Sequence, residues 1–342
     1  MGETGLCGHH QKGFQVVVPT RATGKKRDAV AQKALEKKGL IGHLACFAAY
    51  AIFGINILFC KDIANEGGIP PIALFTFRAF GAGMLFWIIS IFLPHEHVDR
   101  KDYLKIIAAS LLGLLAPQMT FLTAITMTAP IDLSVINTIT PIMTMFIAAI
   151  ALKEPITWKK AGGVLLSFIG IVLLILQSIG NGEGAPGTKP MGVVLVVLNS
   201  LSFALYLGIF RPLIAKYHVV TFMKWMFLVA FIVSFPLSIG HIVNDIDYTS
   251  ISGRVVWEIG FLILFATFFA YFLIPIGQKR IRPTLVSMYG YLQPMIATIG
   301  GIAAGMDRLT IGKIVAACMV IGGVLVVNKS RSAADTIKDK RT

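Results

Sequence analysis

The stretch that decides the fold is PIDLSVINTITPIMTMFIAAIALKEPITWKKAGGVLLSFIGIVLL, residues 130–174, because the chain says it twice. Moved forward by 153 positions, it lies without a gap on PTLVSMYGYLQPMIATIGGIAAGMDRLTIGKIVAACMVIGGVLVV, residues 283–327. Pro130 then meets Pro283, Ser134 meets Ser287, Pro141 meets Pro294, Thr157 meets Thr310, Lys160 meets Lys313 and Gly170 meets Gly323. Glu154 meets Asp307 in the loop of each copy. Most of these residues punctuate a backbone rather than fill a core, so the match reports a repeated chain path.

The repeat extends backward. At the same offset Gln118 falls on Tyr271, and at an offset of 150 Gly42 falls on Gly192, Phe53 on Phe203, Asn56 on Tyr206 and Lys61 on Arg211. Of the 342 residues, 56% are hydrophobic and 14% charged, against about 25% charged in soluble domains. The apolar material comes in ten blocks, near 40–60, 71–93, 103–127, 130–152, 159–177, 190–210, 219–241, 256–277, 282–304 and 310–328. Each is about the length a helix needs to cross a bilayer. None alternates like a barrel strand, and a lipid-exposed backbone must satisfy its own hydrogen bonds. The expected fold class is an all-α membrane protein with ten transmembrane helices in two inverted five-helix repeats. The inversion follows from the odd helix count, which makes the second copy enter the membrane the other way up.

The net charge of +14 is not read as a nucleic-acid footprint, because its placement has another account. The head, the loops after helices 2, 4, 6 and 8, and the tail hold twenty-five Lys and Arg. The opposite loops hold five: Lys61, Lys189, Arg254, Arg308 and Lys313. That bias places both termini in the cytoplasm of a plasma (inner) membrane protein. The expected parts are a basic leader of disorder-favouring composition (1–39), a first repeat (40–179), an outer Gly/Pro linker (180–190), a second repeat (191–328) and a cytoplasmic tail (329–342).

Gly290-Tyr-Leu-Gln-Pro294, Asp307-Arg-Leu-Thr-Ile-Gly-Lys313 and Gly322-Gly-Val-Leu-Val326 resemble the end of an EamA-type domain of the drug/metabolite transporter superfamily. Thr140-Pro141, Leu152-Lys-Glu-Pro155, Thr157, Lys160 and Gly170 resemble the same pattern in the first half. The resemblance covers about residues 40–328. It implies ten helices in two inverted repeats and a central cavity lined mainly by helices 1, 3, 4, 6, 8 and 9. It leaves the substrate open among amino acids, sugars, nucleobases and other metabolites.

Polar side chains at mirrored depths are the candidate substrate contacts, since polar groups avoid lipid and turn toward one another, water or a ligand. They are Asn56 with Tyr206, Gln118 with Tyr271, Thr138 with Tyr291, and Thr140 with Gln293. Asn137 joins them on the helical face it shares with Thr140 and Thr144. The competing role is interhelical glue. Pro141 and Pro294, about ten residues into helices 4 and 9, are expected to kink them and act in gating, with a packing kink as the bland reading. Arg78 is the one formal charge deep in a span. It is either a site for a carboxylate or phosphate, or a structural group paired with helix-end carbonyls or Asp132.

Other functions lack their parts. Cys7, Cys46, Cys60 and Cys318 have no metal-ligand spacing, so neither a metal site nor a disulfide framework is expected. There is no phosphate-binding loop, no catalytic cluster and no expected cofactor. No Asp or Glu lies mid-span, and Val286–Ala304 has no Lys or Arg for a phosphorylated substrate. The expected function is a secondary transporter, exporter or exchanger, of a small organic metabolite such as an amino acid. A non-transporting sensor or scaffold is the alternative, with a membrane enzyme behind it. The expected partners are that metabolite and the bilayer, with no nucleic acid; the oligomeric state is open, a monomer included.

Overall fold

The structure is a computed structural model that describes residues 21–66, 68–128, 136–179, 189–249, 251–303 and 310–330. Pro130, Asp132, Ser134, Gly305 and Asp307, with most of the 180–190 linker, lie outside the described residues. The chain divides into residues 1–40 and 41–342, and the second unit holds the helical bundle.

Every regular element among the described residues is helical. Apart from a short helix at Arg211–Lys216 and a 3₁₀ turn at Tyr289–Tyr291, these are in chain order α1 (Arg21–Glu66), α2 (Pro71–Ile91), α3 (Arg100–Ala124), α4 (Thr140–Ala151), α5 (Trp158–Ile179) and α6 (Pro190–Ile209). There follow α7 (Val219–Asn244), α8 (Gly253–Arg280), α9 (Pro283–Met288), α10 (Leu292–Ala303) and α11 (Ile311–Asn328). Among the described residues six stretches are long and apolar enough to cross a membrane: α2, α3, α6, α7, α8 and the Gly39–Cys60 part of α1. Their hydrophobic side chains are widely exposed, as in Leu44, Trp87, Leu198 and Leu237, which suits a surface that meets lipid instead of water.

Two of the expected spans are interrupted, at matching places. Ile136 and Asn137 are helical, Thr138 and Ile139 form a turn, and α4 starts afresh at Thr140 with Pro141 in its first turn. In the second half α9 ends at Met288, Tyr289–Tyr291 is a 3₁₀ turn, and α10 starts at Leu292 with Pro294 third. Each proline therefore opens a new helical segment, where its missing N–H leaves no hydrogen bond unmade.

The third and eighth spans share a second irregularity. In α3 a π-helical turn occupies Leu111–Leu115. In α8 another occupies Leu262–Phe269, and the first, moved by 153, falls inside it. A π turn carries an extra residue and turns the helix face that follows it. Side chains take up its loosened carbonyls: Ser202 Oγ donates to Leu112 O at 2.8 Å, and Thr267 Oγ1 to Leu262 O at 2.7 Å.

Helices α2 and α7 pack through Phe86 against Phe227 and Trp87 against Trp225, centroids 5.4 and 5.5 Å apart. Helices α5 and α11 approach more closely. A Cβ built on Gly323 would lie 2.4 Å from Gly163 O, and one on Gly170 would lie 2.9 Å from Ala316 O. The repeated glycine thus marks a seam with no space for a side chain.

At the base of this seam, buried Lys160 donates to Glu154 at 2.8 Å, and Arg211 Nη1 lies 3.5 Å from the same carboxylate. Thr157 Oγ1 accepts from the Lys160 amide at 3.2 Å and so caps α5. Elsewhere Asp102 accepts from Lys216 at 2.6 Å and from Tyr217 at 2.8 Å, tying the start of α3 to the segment before α7. Those bonds, with one to Asp99, raise the Lys216 pKa above its ordinary value.

Candidate functional site

A cavity of about 110 Å³ opens where the two broken spans meet α1, α3, α6 and α8. These are elements of the expected spans 1, 3, 4, 6, 8 and 9. Its polar wall includes Asn56 from α1, Gln118 from α3, Asn137 and Thr140 at the first break, and Tyr271 from α8. Gly290, Tyr291 and Gln293 come from the second break, and Pro141 closes the floor beside Thr140. Thr138 and Pro294 lie in a smaller adjoining cavity with Asn137, Tyr291 and Gln293.

Residues that the repeat superposes touch each other here. Gln118 Nε2 donates to Tyr271 Oη at 2.7 Å, and Tyr291 Oη donates to Thr138 O at 3.1 Å. On the α5–α11 seam Ser167 Oγ donates to Val320 O at 3.0 Å. All three pairs are 153 residues apart. A residue can reach its own counterpart only near a two-fold axis, as in an isologous interface.

The break in the first half is held by its neighbours. Its carbonyls lack the amide partners a continuous helix would supply. Thr140 Oγ1 takes up Asn137 O at 2.8 Å, while Tyr291 takes up Thr138 O. The π turns stand three residues before Gln118 and two before Tyr271. Their position lets them turn both side chains toward the cavity and each other.

Arg78 and Tyr206 do not line this cavity. Arg78 is 1% exposed, with Nε donating to Thr267 Oγ1 at 2.8 Å and Nη1 3.8 Å from Cys60 Sγ. It thereby braces the hydroxyl that fills the α8 π turn. Asp132, its expected alternative partner, lies outside the described residues. The Tyr206 ring covers Gly113 within the α3 π turn, where a Cβ would come within 2.4 Å of it.

Several wall residues were not among the candidate substrate contacts: Tyr50, Phe121, Asn199 and Ser287. Asn199 has Ala49 as its counterpart, so comparing the repeats hides it. The stripe Asn199, Ser200, Ser202 is the signal that finds it, because all three bond across to the first half. Asn199 Nδ2 donates to Pro117 O at 2.7 Å and Ser200 Oγ to Asn137 Oδ1 at 3.2 Å, alongside the Ser202 bond. Phe53 and Phe203, matched at the offset of 150, both face the cavity.

An all-helical chain with several bilayer-length apolar helices and a polar-lined central cavity defines a multi-pass membrane protein. Residues 40–176 and 190–329 match the EamA-like transporter family, and the chain belongs to it. It is 23% identical over 266 residues to an uncharacterized transporter of Archaeoglobus fulgidus, covering 77% of this chain and 90% of that one. It is 25% identical over 239 residues to the uncharacterized transporter YyaM of Bacillus subtilis, covering 67% and 74%. A solved structure described only as the crystal structure of a protein has the same fold. Its TM-score is 0.65 at 16% identity, covering 85% of this chain and 96% of that one. Family and relatives carry the names of transporters, not enzymes.

Proposed function

We propose that the protein is a secondary transporter that exports or exchanges a small organic metabolite by alternating access. In this reading ten spans form two inverted five-helix repeats in the plasma (inner) membrane, with both termini cytoplasmic. The observation that carries it is the contact of Gln118 with Tyr271 and of Tyr291 with Thr138. Counterpart residues from the two repeats meet in the wall of one cavity, between two broken spans. Rocking one repeat against the other would open that cavity to each side in turn. The short turns at Thr138–Ile139 and Tyr289–Tyr291 supply the flexible points.

The wall suits a compact, partly apolar solute. Tyr50, Phe53, Phe121, Phe203 and Tyr271 offer aromatic surface, while Asn56, Gln118 and Gln293 offer directed hydrogen bonds. An amino acid is one candidate from the resemblance, although the described lining residues offer its carboxylate no cationic side chain.

The deciding experiment is flux. Purified protein in liposomes is expected to move a labelled solute from a metabolite panel across the bilayer, faster than protein-free vesicles and saturably. Saturable binding without flux across a broad panel would sink the transporter reading in favour of a sensor. Reporters fused after Asn181 and after Thr342 are expected on opposite sides of the membrane; the same side for both would break the ten-span arrangement.

A further inference from the structure

Gln118 and Tyr271 leave something unspent. Because the amide N–H of Gln118 donates to the tyrosine oxygen, the phenolic proton is free to point elsewhere. Gln118 Oε1 is buried and finds no partner. A buried acceptor in that condition is destabilising, and one kept in a cavity wall calls for a donor that arrives with a ligand. The pair thus presents an acceptor and a donor side by side, tied to each other by one hydrogen bond. Turning the carboxamide over exchanges the two roles and still leaves one donor beside one acceptor.

Two further observations narrow the partner. Tyr50 lines the same cavity, is 3% exposed, and its hydroxyl is also without a partner. Phe53 stands edge-on to Tyr50 and to Tyr271, with centroids 5.8 and 5.6 Å away, so flat walls flank the polar edge. None of the described lining residues carries a formal charge, and an ionised group entering such a site would lose its hydration without a counter-ion.

The geometry points to a substrate that is uncharged, flat and carries an N–H beside a carbonyl: a cyclic or primary amide, with its N–H on Gln118 and its carbonyl on a tyrosine hydroxyl. A ring or a primary amide holds donor and acceptor on one edge. An open-chain secondary amide is trans and sends them to opposite sides. This assignment rests on the cavity being the substrate site and names the class of compound that would fill it.

The test uses isoquinolin-1-one, its N-methyl derivative, phenylalanine and phenylacetate. Calorimetry on the purified full-length protein is followed by flux into liposomes. The lactam is expected to bind at least about tenfold tighter than the N-methyl compound, the equivalent of one lost hydrogen bond. Phenylalanine and phenylacetate are expected to show no saturable binding. Gln118→Met, close in size to the native residue, should abolish the preference for the N–H compound, and Tyr271→Phe should weaken the lactam and its N-methyl derivative alike, while both variants still melt cooperatively. Equal binding of lactam and N-methyl derivative, tighter binding of either ionised probe, or no binding of any probe overturns the assignment. If the lactam does not bind while another metabolite crosses the bilayer, this assignment falls and the transporter reading stands. If the lactam binds with the expected discrimination but nothing crosses, the site stands and the transporter reading falls.

Discussion

At two places in this molecule the repeats meet their own counterparts, and the two are built from opposite materials. On the α5–α11 seam the meeting residues are small, and Gly170 and Gly323 are the same in both copies. Backbones there come close enough that a Cβ on Gly323 would lie 2.1 Å from Ser167 Oγ. At the cavity the counterparts differ. Gln118 faces Tyr271, and Tyr291 faces the Thr138 carbonyl. On the seam the counterparts that touch are Ser167 and Val320, and the closeness comes from a glycine in each copy that lets the backbones approach. Difference serves recognition, because unequal partners leave donors and acceptors unmatched and a cavity between them.

That contrast can be broken by substitution, beginning where the effect should be greatest. Gly323→Leu puts a branched side chain against the Gly163 carbonyl. The Gly163 carbonyl and the Ser167 amide are backbone and cannot turn aside, so the expectation is loss of folded, monodisperse protein on size-exclusion chromatography. Recovery of well-behaved protein would show that the seam is looser than its distances imply. Glu154→Gln leaves buried Lys160 with an uncompensated charge and should cost about 3–5 kcal/mol, read as a clear fall in melting temperature. A change within a degree would mean that Arg211 and Lys160 find other partners.

Tyr291→Ala tests the other side of the contrast. It removes the group that holds the Thr138 carbonyl at the break, so transport should fall by tenfold or more while expression drops less. Equal loss of both would make Tyr291 a packing residue. Thr157→Ala, which removes the α5 cap, should lower stability by only about 1 kcal/mol. Transport is expected to survive it, since the cap lies in the loop before α5 and does not line the cavity.

Much of this was legible in the residues. Hydrophobic blocks of bilayer length, the repeated Pro and Gly, and a polar residue at each mirrored depth can be seen without coordinates. Asn56, Gln118, Asn137, Thr140, Tyr271, Tyr291 and Gln293 were marked by polarity in apolar spans, and all line one cavity. Asn199 escaped because its counterpart is Ala49. Tyr50 was missed although its counterpart at the offset of 150, Ser200, is also polar. The π turns at Leu111–Leu115 and Leu262–Phe269 have no residue signature in runs of Leu and Phe. Arg78 stood out as a charge, but nothing local pointed to Thr267, 189 residues away.

The sequence by itself determined that the chain is a helical membrane protein written twice, because apolar length and repeated punctuation are properties of neighbouring residues. Only the tertiary structure decided that Pro141 and Pro294 begin helical segments, that Gln118 touches Tyr271, and that Arg78 and Tyr206 support π turns outside the cavity wall. The reason is rotational. A helix inside a bundle turns about its own axis until its neighbours fit, and one extra residue in a π turn redirects every side chain after it. Polarity says that a group must find a partner; packing decides which one.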